Sequence, residues 1–302
     1  MTDIDEALVR RLLKAQFPQW ADLPLTPVAA PGMDNATYRL GAGKSVRLPR
    51  YERWAGQVER EQRWLPVLAP LLPLTVSAPL AEGAPGEGYP YPWSVYRWLD
   101  GGNAAVEDLA DPRRAARELA EFVTALQTVD ATGGPQPEWS NAFRGVALGD
   151  PADSIATEAR VRPKIAALGH LTDTGLLTEV WETALAAPPW HRPPVWVHGD
   201  LGGGNILAVD GRLSAVIDFG TLAVGDPACD VMAAWTFFDT GTREVFRDAL
   251  DVDDATWTRA RGWGLASSLP VPDDPFFADR PDRVERALRR LGEITADHLA
   301  SR

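Results

Sequence analysis

Apolar positions recur at helical spacing in residues 3–17, where Ile4, Ala7, Leu8, Leu12 and Leu13 share one face and Pro18 ends the run. Two short β-like runs follow, 36–40 and 45–48, joined by Gly41-Ala42-Gly43-Lys44, which predicts a hairpin. A helix is expected over 55–68. After it comes an aromatic, β-branched strand at 92–99, closed by the breakers Asp100-Gly101-Gly102. Beyond that point the pattern is mainly helical, over 112–128, roughly 152–168, 174–186, 226–238, 254–263 and 281–299. One β element interrupts it. Residues 205–209 and 212–217 flank Asp210-Gly211, and Asp-Gly between two apolar runs is a strong two-residue hairpin signal. The order predicts an α+β chain of two lobes: a small sheet-containing lobe, 1–99, and a larger helical lobe, 100–302, hinged at the breakers.

Composition narrows the function classes. With 45% apolar and 24% charged residues among 302, the chain has an ordinary globular balance and enough length for substantial cores. No run approaches the ~20 apolar residues of a membrane span. The acidic start, Thr2 to Glu6, does not read as a signal peptide, and the single Cys229 fits a reducing interior, so a cytoplasmic location is expected. The 42 acids outnumber the 30 bases, giving a net charge of −12. That argues against a nucleic-acid surface and against a polybasic membrane contact. The sequence says nothing about oligomeric state.

Candidate chemistry concentrates in His198-Gly199-Asp200-Leu201-Gly202-Gly203-Gly204-Asn205 and in Asp218-Phe219-Gly220. Asn205 offers an amide oxygen and Asp218 a carboxylate, the hard donors that Mg²⁺ accepts beside waters and phosphate oxygens. Asp200, on the loop entering the hairpin, can accept or orient a hydroxyl proton, and the hairpin returns the chain so that Asp218 faces the same cleft. His198 orients this loop by hydrogen bonding rather than moving a proton. The three glycines at 202–204 either permit a tight turn or leave room for an acceptor. Gly43-Lys44-Ser45 imitates the end of a Walker motif, but Tyr38 stands where its first glycine is required. Four histidines without a pair at metal spacing give no support to a metal-dependent hydrolase.

An Asp and an Asn five positions apart, followed by Asp-Phe-Gly, match the protein-kinase catalytic apparatus. The His198-Gly199-Asp200 variant, with Gly225-Asp226-Pro227-Ala228-Cys229-Asp230 downstream, resembles the aminoglycoside phosphotransferase family, a branch of the kinase-like fold. The likeness spans most of the chain and is weakest over 133–194. It implies an Mg²⁺-dependent kinase of small molecules that uses ATP or GTP. An antibiotic such as an aminoglycoside is the foremost acceptor; macrolides, choline, homoserine and sugars are alternatives, as is a non-catalytic nucleotide-binding protein.

The same resemblance implies roles for individual residues. Arg47 stands where most relatives carry the phosphate-binding lysine, a departure that keeps the charge but alters its geometry. Glu61 is its expected ion-pair partner. Asp34, Asn35 and Thr37 fall in the loop over the phosphates, and the base is expected near Tyr96 and Trp98. On the acceptor side, Asn141, Arg144, Asp230, Trp235 and Trp263 are candidates. Structural readings stand beside these: Asp226 capping the next helix, Asp230 fixing the catalytic loop, and most of the 12 tryptophans packing in cores.

Overall fold

The computed structural model describes residues 4–28, 32, 34–150, 153–270, 277, 278 and 280–302. The first helix, α1 (Glu6–Gln16), starts where the Asp5 carboxylate accepts the Leu8 N–H at 2.7 Å. Its apolar face buries Leu8, Val9, Leu12 and Leu13 on a sheet. The strands in this part of the chain are β1 (Leu25–Pro27), β2 (Asn35–Leu40), β3 (Lys44–Pro49), β4 (Thr75–Val76), β5 (Pro79–Gly83) and β6 (Trp93–Arg97), with helix α2 (Glu52–Leu68) between β3 and β4. All but β4 form one antiparallel sheet in the order β1-β2-β3-β6-β5. Gly83 is required there, because a Cβ would lie 2.0 Å from the Trp93 ring.

The remainder runs β7 (Gly102–Asn103), α3 (Pro112–Thr128), α4 (Glu158–Ala167), α5 (Thr174–Ala186), β8 (Val195–Val197), β9 (Ile206–Val209), β10 (Arg212–Val216) and β11 (Ala223–Gly225). Helices α6 (Ala228–Val231), α7 (Ala233–Thr236), α8 (Thr240–Leu250), α9 (Asp254–Ser268) and α10 (Pro281–Ala300) complete it. The hairpin β9–β10 turns at Asp210 and Gly211, both left-handed at φ 50° and 72°, as a two-residue turn between twisted strands demands. It is extended by β4 and β7 into a four-stranded sheet, and β8 pairs separately with β11.

Two hydrophobic cores result. The smaller joins α1 to the five-stranded sheet. The larger fills the helical part and also takes in Leu65 and Leu68 of α2, Leu74, Val76 of β4 and Tyr96 of β6. Helix α2 is thus shared between the two halves of the chain.

Several expected elements differ. Of the helix anticipated over 152–168, residue 152 lies outside the described residues and 153–157 are not helical, the helix starting at Glu158: Ser154 Oγ takes the Ala156 N–H at 3.3 Å, a local bond that competes with helix formation. The single helix expected over 226–238 is two short pieces, α6 and α7, separated at Met232, with Asp226 and Asp230 each bonded to other parts of the chain. Helix α8 was not anticipated. Gly241 and two threonines weaken its first turn, and it is sustained by the Asp239 cap, the burial of Val245 and Phe246, and the bonds of Arg243 to Ala234 and Glu293. Helix α9 runs five residues past Trp263 and is buried on nearly all sides, so no amphipathic stripe marks its end.

Candidate active site

The floor of the site is laid by Asp230. Its carboxylate is fully buried and accepts the N–H groups of His198 at 2.7 Å and of Gly199 at 2.7 Å. Burial pushes its pKa above the ordinary carboxylate range, while those N–H groups oppose the rise. The Asp200 amide donates to His198 Nδ1 at 3.2 Å, and His198 Nε2 lies 3.0 Å from the Ile217 carbonyl. An amide only donates and a carbonyl only accepts, so both bonds are satisfied by the neutral Nε2–H tautomer. His198 thereby ties the entry of the loop to the end of β10.

At the tip of this loop Asp200 is exposed. Asn205 Nδ2 donates to its carbonyl at 2.9 Å and to Oδ2 at 2.9 Å, which leaves Oδ1 facing the cleft. The Ile217 N–H donates to the Asn205 carbonyl at 2.9 Å, which places Asp218 beside Asn205. Asp218 itself is left-handed, at φ 64° and ψ 64°. A non-glycine residue held there stores strain, and such strain clusters at functional positions. Phe219 is buried edge-on against the His198 ring, with centroids 4.6 Å apart.

From the sheet, Arg47 Nη2 meets Asp218 Oδ1 at 2.5 Å and Nη1 meets Glu61 Oε1 at 3.4 Å. Burial opposes the Arg47 charge, but Asp218 and then Glu61 overcome that and hold it protonated. Burial likewise raises Asp218, yet Arg47 pulls it below the ordinary carboxylate range. For Glu61 burial prevails over Arg47, and its pKa rises above the ordinary carboxylate range. The Tyr96 hydroxyl donates to Glu61 Oε2 at 2.5 Å.

Asp34 is pushed up to about 6, first by burial and then by the negative charges of Asp218 and Asp200. The three carboxylates therefore face one space. Gln57 joins the loop to α2: Nε2 donates to Asp34 Oδ2 at 3.3 Å, and Oε1 accepts from Asn35 Nδ2 at 3.3 Å. Its side chain also lies where a Cβ on Gly220 would meet it at 2.5 Å. One turn on, Arg60 donates to the Gly220 carbonyl at 2.7 Å and to Glu138 at 2.8 Å. Neither Gln57 nor Arg60 was among the sequence candidates. Their signal is positional, since polar residues at 57, 60 and 61 share one helical face that is buried.

The remaining candidates divide sharply. Thr37 is half-buried and pairs with Arg47 across the hairpin. Trp98 stacks under Arg39 at 4.8 Å, and its backbone N–H donates to the Gly43 carbonyl at 3.0 Å, at the turn end of the sheet. Arg144 stays in the site, its Nη2 3.9 Å from Asp200 Oδ1. Four acceptor candidates are corrected. Asn141 is fully buried and closes a capping box with Glu138. Asp230 spends both oxygens beneath the loop. Trp235 and Trp263 lie in the large core, so none of the four lines an open wall. Asp226, as its structural reading has it, caps Ala228 and pairs with buried Arg259.

The donor set suits magnesium, with an amide oxygen at Asn205 and a carboxylate at Asp218. Among the described residues no group of three or more His, Cys, Asp or Glu side chains could hold a metal by itself. No helix among the described residues is long and apolar enough to cross a membrane.

The chain is similar to known proteins in sequence and in fold. The sequence profile of the phosphotransferase enzyme family matches residues 26–263. Viomycin phosphotransferase of Streptomyces vinaceus is 30% identical over 172 residues, 51% of this chain and 53% of that protein, so the match spans about half of the relative. Among solved structures, the GDP complex of aminoglycoside 2′-phosphotransferase-IIIa superposes with a TM-score of 0.71 at 18% identity, covering 98% of this chain and 100% of that one. The macrolide 2′-phosphotransferase of Brachybacterium faecium gives 0.58 at 24% identity, over 95% and 98%. At these identities the likeness shows the kinase-like two-part fold.

Proposed function

Because the chain belongs to the phosphotransferase enzyme family, we propose that it transfers the γ-phosphate of ATP or GTP to a hydroxyl of a small-molecule antibiotic. Residues 1–99 act as the nucleotide lobe and 100–302 as the catalytic and acceptor lobe. The observation that carries this reading is the convergence of Asp200, Asn205 and Asp218 on one cleft, opposite the Arg47–Glu61 pair.

The chemistry is mainly positioning and charge stabilisation. Asp200 Oδ1 accepts the proton of the acceptor hydroxyl, and the freed oxygen attacks the γ-phosphorus. A new O–P bond forms as the bond to the β–γ bridging oxygen breaks, giving a phosphate ester and a nucleoside diphosphate. Asn205 holds the Asp200 carboxylate in place, and Asn205 and Asp218 supply the ligands for Mg²⁺. Bound there, the ion would neutralise phosphate charge. Arg47, steadied by Glu61, holds phosphate oxygens from the sheet side. Asp34, Asn35 and Thr37 flank the phosphates, and the base lies toward Tyr96 and Trp98.

Several antibiotic classes enter as acceptors through the relatives: a viomycin enzyme, aminoglycoside enzymes and macrolide enzymes. The net charge of −12 suits a cationic acceptor. Incubation with Mg-ATP or Mg-GTP and kanamycin, streptomycin, viomycin or erythromycin, read by mass spectrometry, tests the proposal. Gain of one phosphate on an acceptor, dependent on magnesium, is expected. Nucleotide binding without any acceptor product would instead indicate a non-catalytic nucleotide binder.

A further inference from the structure

Arg144 is delivered to Asp200 by an unusual stretch of backbone. Ala142 and Phe143 are both left-handed, at φ 55° and 54°, and Gly145 follows at φ 86°. Two consecutive non-glycine residues in that region are costly. The strain is held by the Glu138–Asn141 capping box, by the Phe143 N–H on the Glu138 carbonyl at 2.9 Å, and by the Asp226 N–H on the Gly145 carbonyl at 2.8 Å. The result places the Arg144 stem against Gly199, where a Cβ would meet Arg144 Cβ at 2.7 Å. Its guanidinium lies 5.8 Å from the centroid of the Trp263 ring.

Nε and Nη1 of this guanidinium are buried with no hydrogen-bond partner among the described residues. Leaving such groups unpaired is expensive. Nη2 is the atom turned toward the cleft, 3.9 Å from Asp200 Oδ1. That gap is too long for a direct hydrogen bond. It suits two oxygens on adjacent carbons, one donating its proton to Asp200 Oδ1 and the other accepting from Nη2. Asp200 Oδ2 is already taken by Asn205, so Oδ1 is the oxygen left for the acceptor. A guanidinium has donors and no acceptor, so the second atom must carry a lone pair, and an ammonium there would face a like charge.

We propose that Arg144 binds the acceptor beside the reacting hydroxyl, in a two-point clasp with Asp200 that selects hydroxyls whose neighbouring carbon bears oxygen over those flanked by ammonium. The clasp rests on the phosphotransfer reading and adds the positional class of the acceptor to it.

Kanamycin and streptomycin carry both hydroxyls with oxygen on each neighbouring carbon and hydroxyls with an amine on one neighbouring carbon, so product structures report the preference directly. Wild-type products mapped by ³¹P–¹H NMR should carry phosphate on oxygen-flanked hydroxyls. Arg144→Gln should lower kcat/KM at those positions by ~10- to ~100-fold, the range for a hydrogen bond from a charged group. It should raise the share of amine-flanked product and leave affinity for Mg-nucleotide within about twofold. Arg144→Lys, which keeps the charge near Asp230, should fall between. Wild-type phosphate on an amine-flanked hydroxyl overturns the clasp. So does an Arg144→Gln loss that is equal at every position, which would place the guanidinium on the transferred phosphoryl group or in a purely structural role. If wild type phosphorylates none of the acceptors, the phosphotransfer reading falls and the clasp with it. If it phosphorylates them without the positional preference, only the clasp falls.

Discussion

The two walls of the cleft are assembled differently. On the catalytic side, Asp200, Asn205 and Asp218 lie within nineteen consecutive residues, and a hairpin with its own turn signal folds them together. On the acceptor side the chain contributes single residues from distant segments. Four of the five expected there, Asn141, Asp230, Trp235 and Trp263, carry the structure instead of lining it. Charge chemistry at a phosphate is served by short local motifs, whereas a wall that contacts an acceptor is made by tertiary packing. A side chain's type does not reveal which way that packing will turn it.

If the comparison holds, damage to the acceptor-side candidates should appear as lost stability rather than lost recognition. Trp235→Ala, which empties a buried site against Trp257, should cost ~3–5 kcal/mol in chemical denaturation. The milder Trp235→Phe should leave acceptor KM unchanged; a large rise in that KM would return the residue to the acceptor wall. On the catalytic side the pattern should reverse. Asp200→Asn should lower kcat by at least ~100-fold, the scale of a lost general base, with unfolding midpoint and nucleotide affinity unaltered. Full turnover in that variant would remove Asp200 from the role given to it.

The smallest effect is a dependence on pH at the phosphate loop. Asp34 sits at about 6 in the folded chain against an ordinary 3.8, through burial and then Asp218 and Asp200. Because the folded value is raised, the favourable contribution is complete below about pH 4 and is lost as pH rises through about 6. Asp34→Asn should therefore flatten the decline in unfolding free energy between pH 4 and 7, by roughly 1–2 kcal/mol. Parallel curves for the two proteins would mean that Asp34 does not share the field of the other carboxylates.

The hairpin around Asp210-Gly211 and the helices α1, α3, α5 and α10 were legible because each carries its period, its cap or its turn in adjacent residues. The two- and three-residue strands β4, β7, β8 and β11 were not, being too short to show alternation. Arg47 with Glu61 was read through family likeness, and the pair does form. What the likeness could not supply was the Arg47–Asp218 contact, which spans 171 positions in the chain, or the part played by Gln57 and Arg60. Such contacts exist only after α2 has been set between sheet and hairpin.

That placement of α2 has a mechanical outcome. Gln62 fastens it to Ala81 and Ser94 of the sheet's far strands, while Arg60, Leu65, Leu68 and the Trp64–Trp196 ring contact at 4.8 Å fasten it to the helical body. A strut secured at both ends cannot swing. The β2–β3 ribbon is held within the sheet by pairing of β3 with β6, and toward α2 by the two 3.3 Å contacts of Gln57 and the charges around Arg47. Displacing α2 would therefore disturb the sheet and the helical body at once.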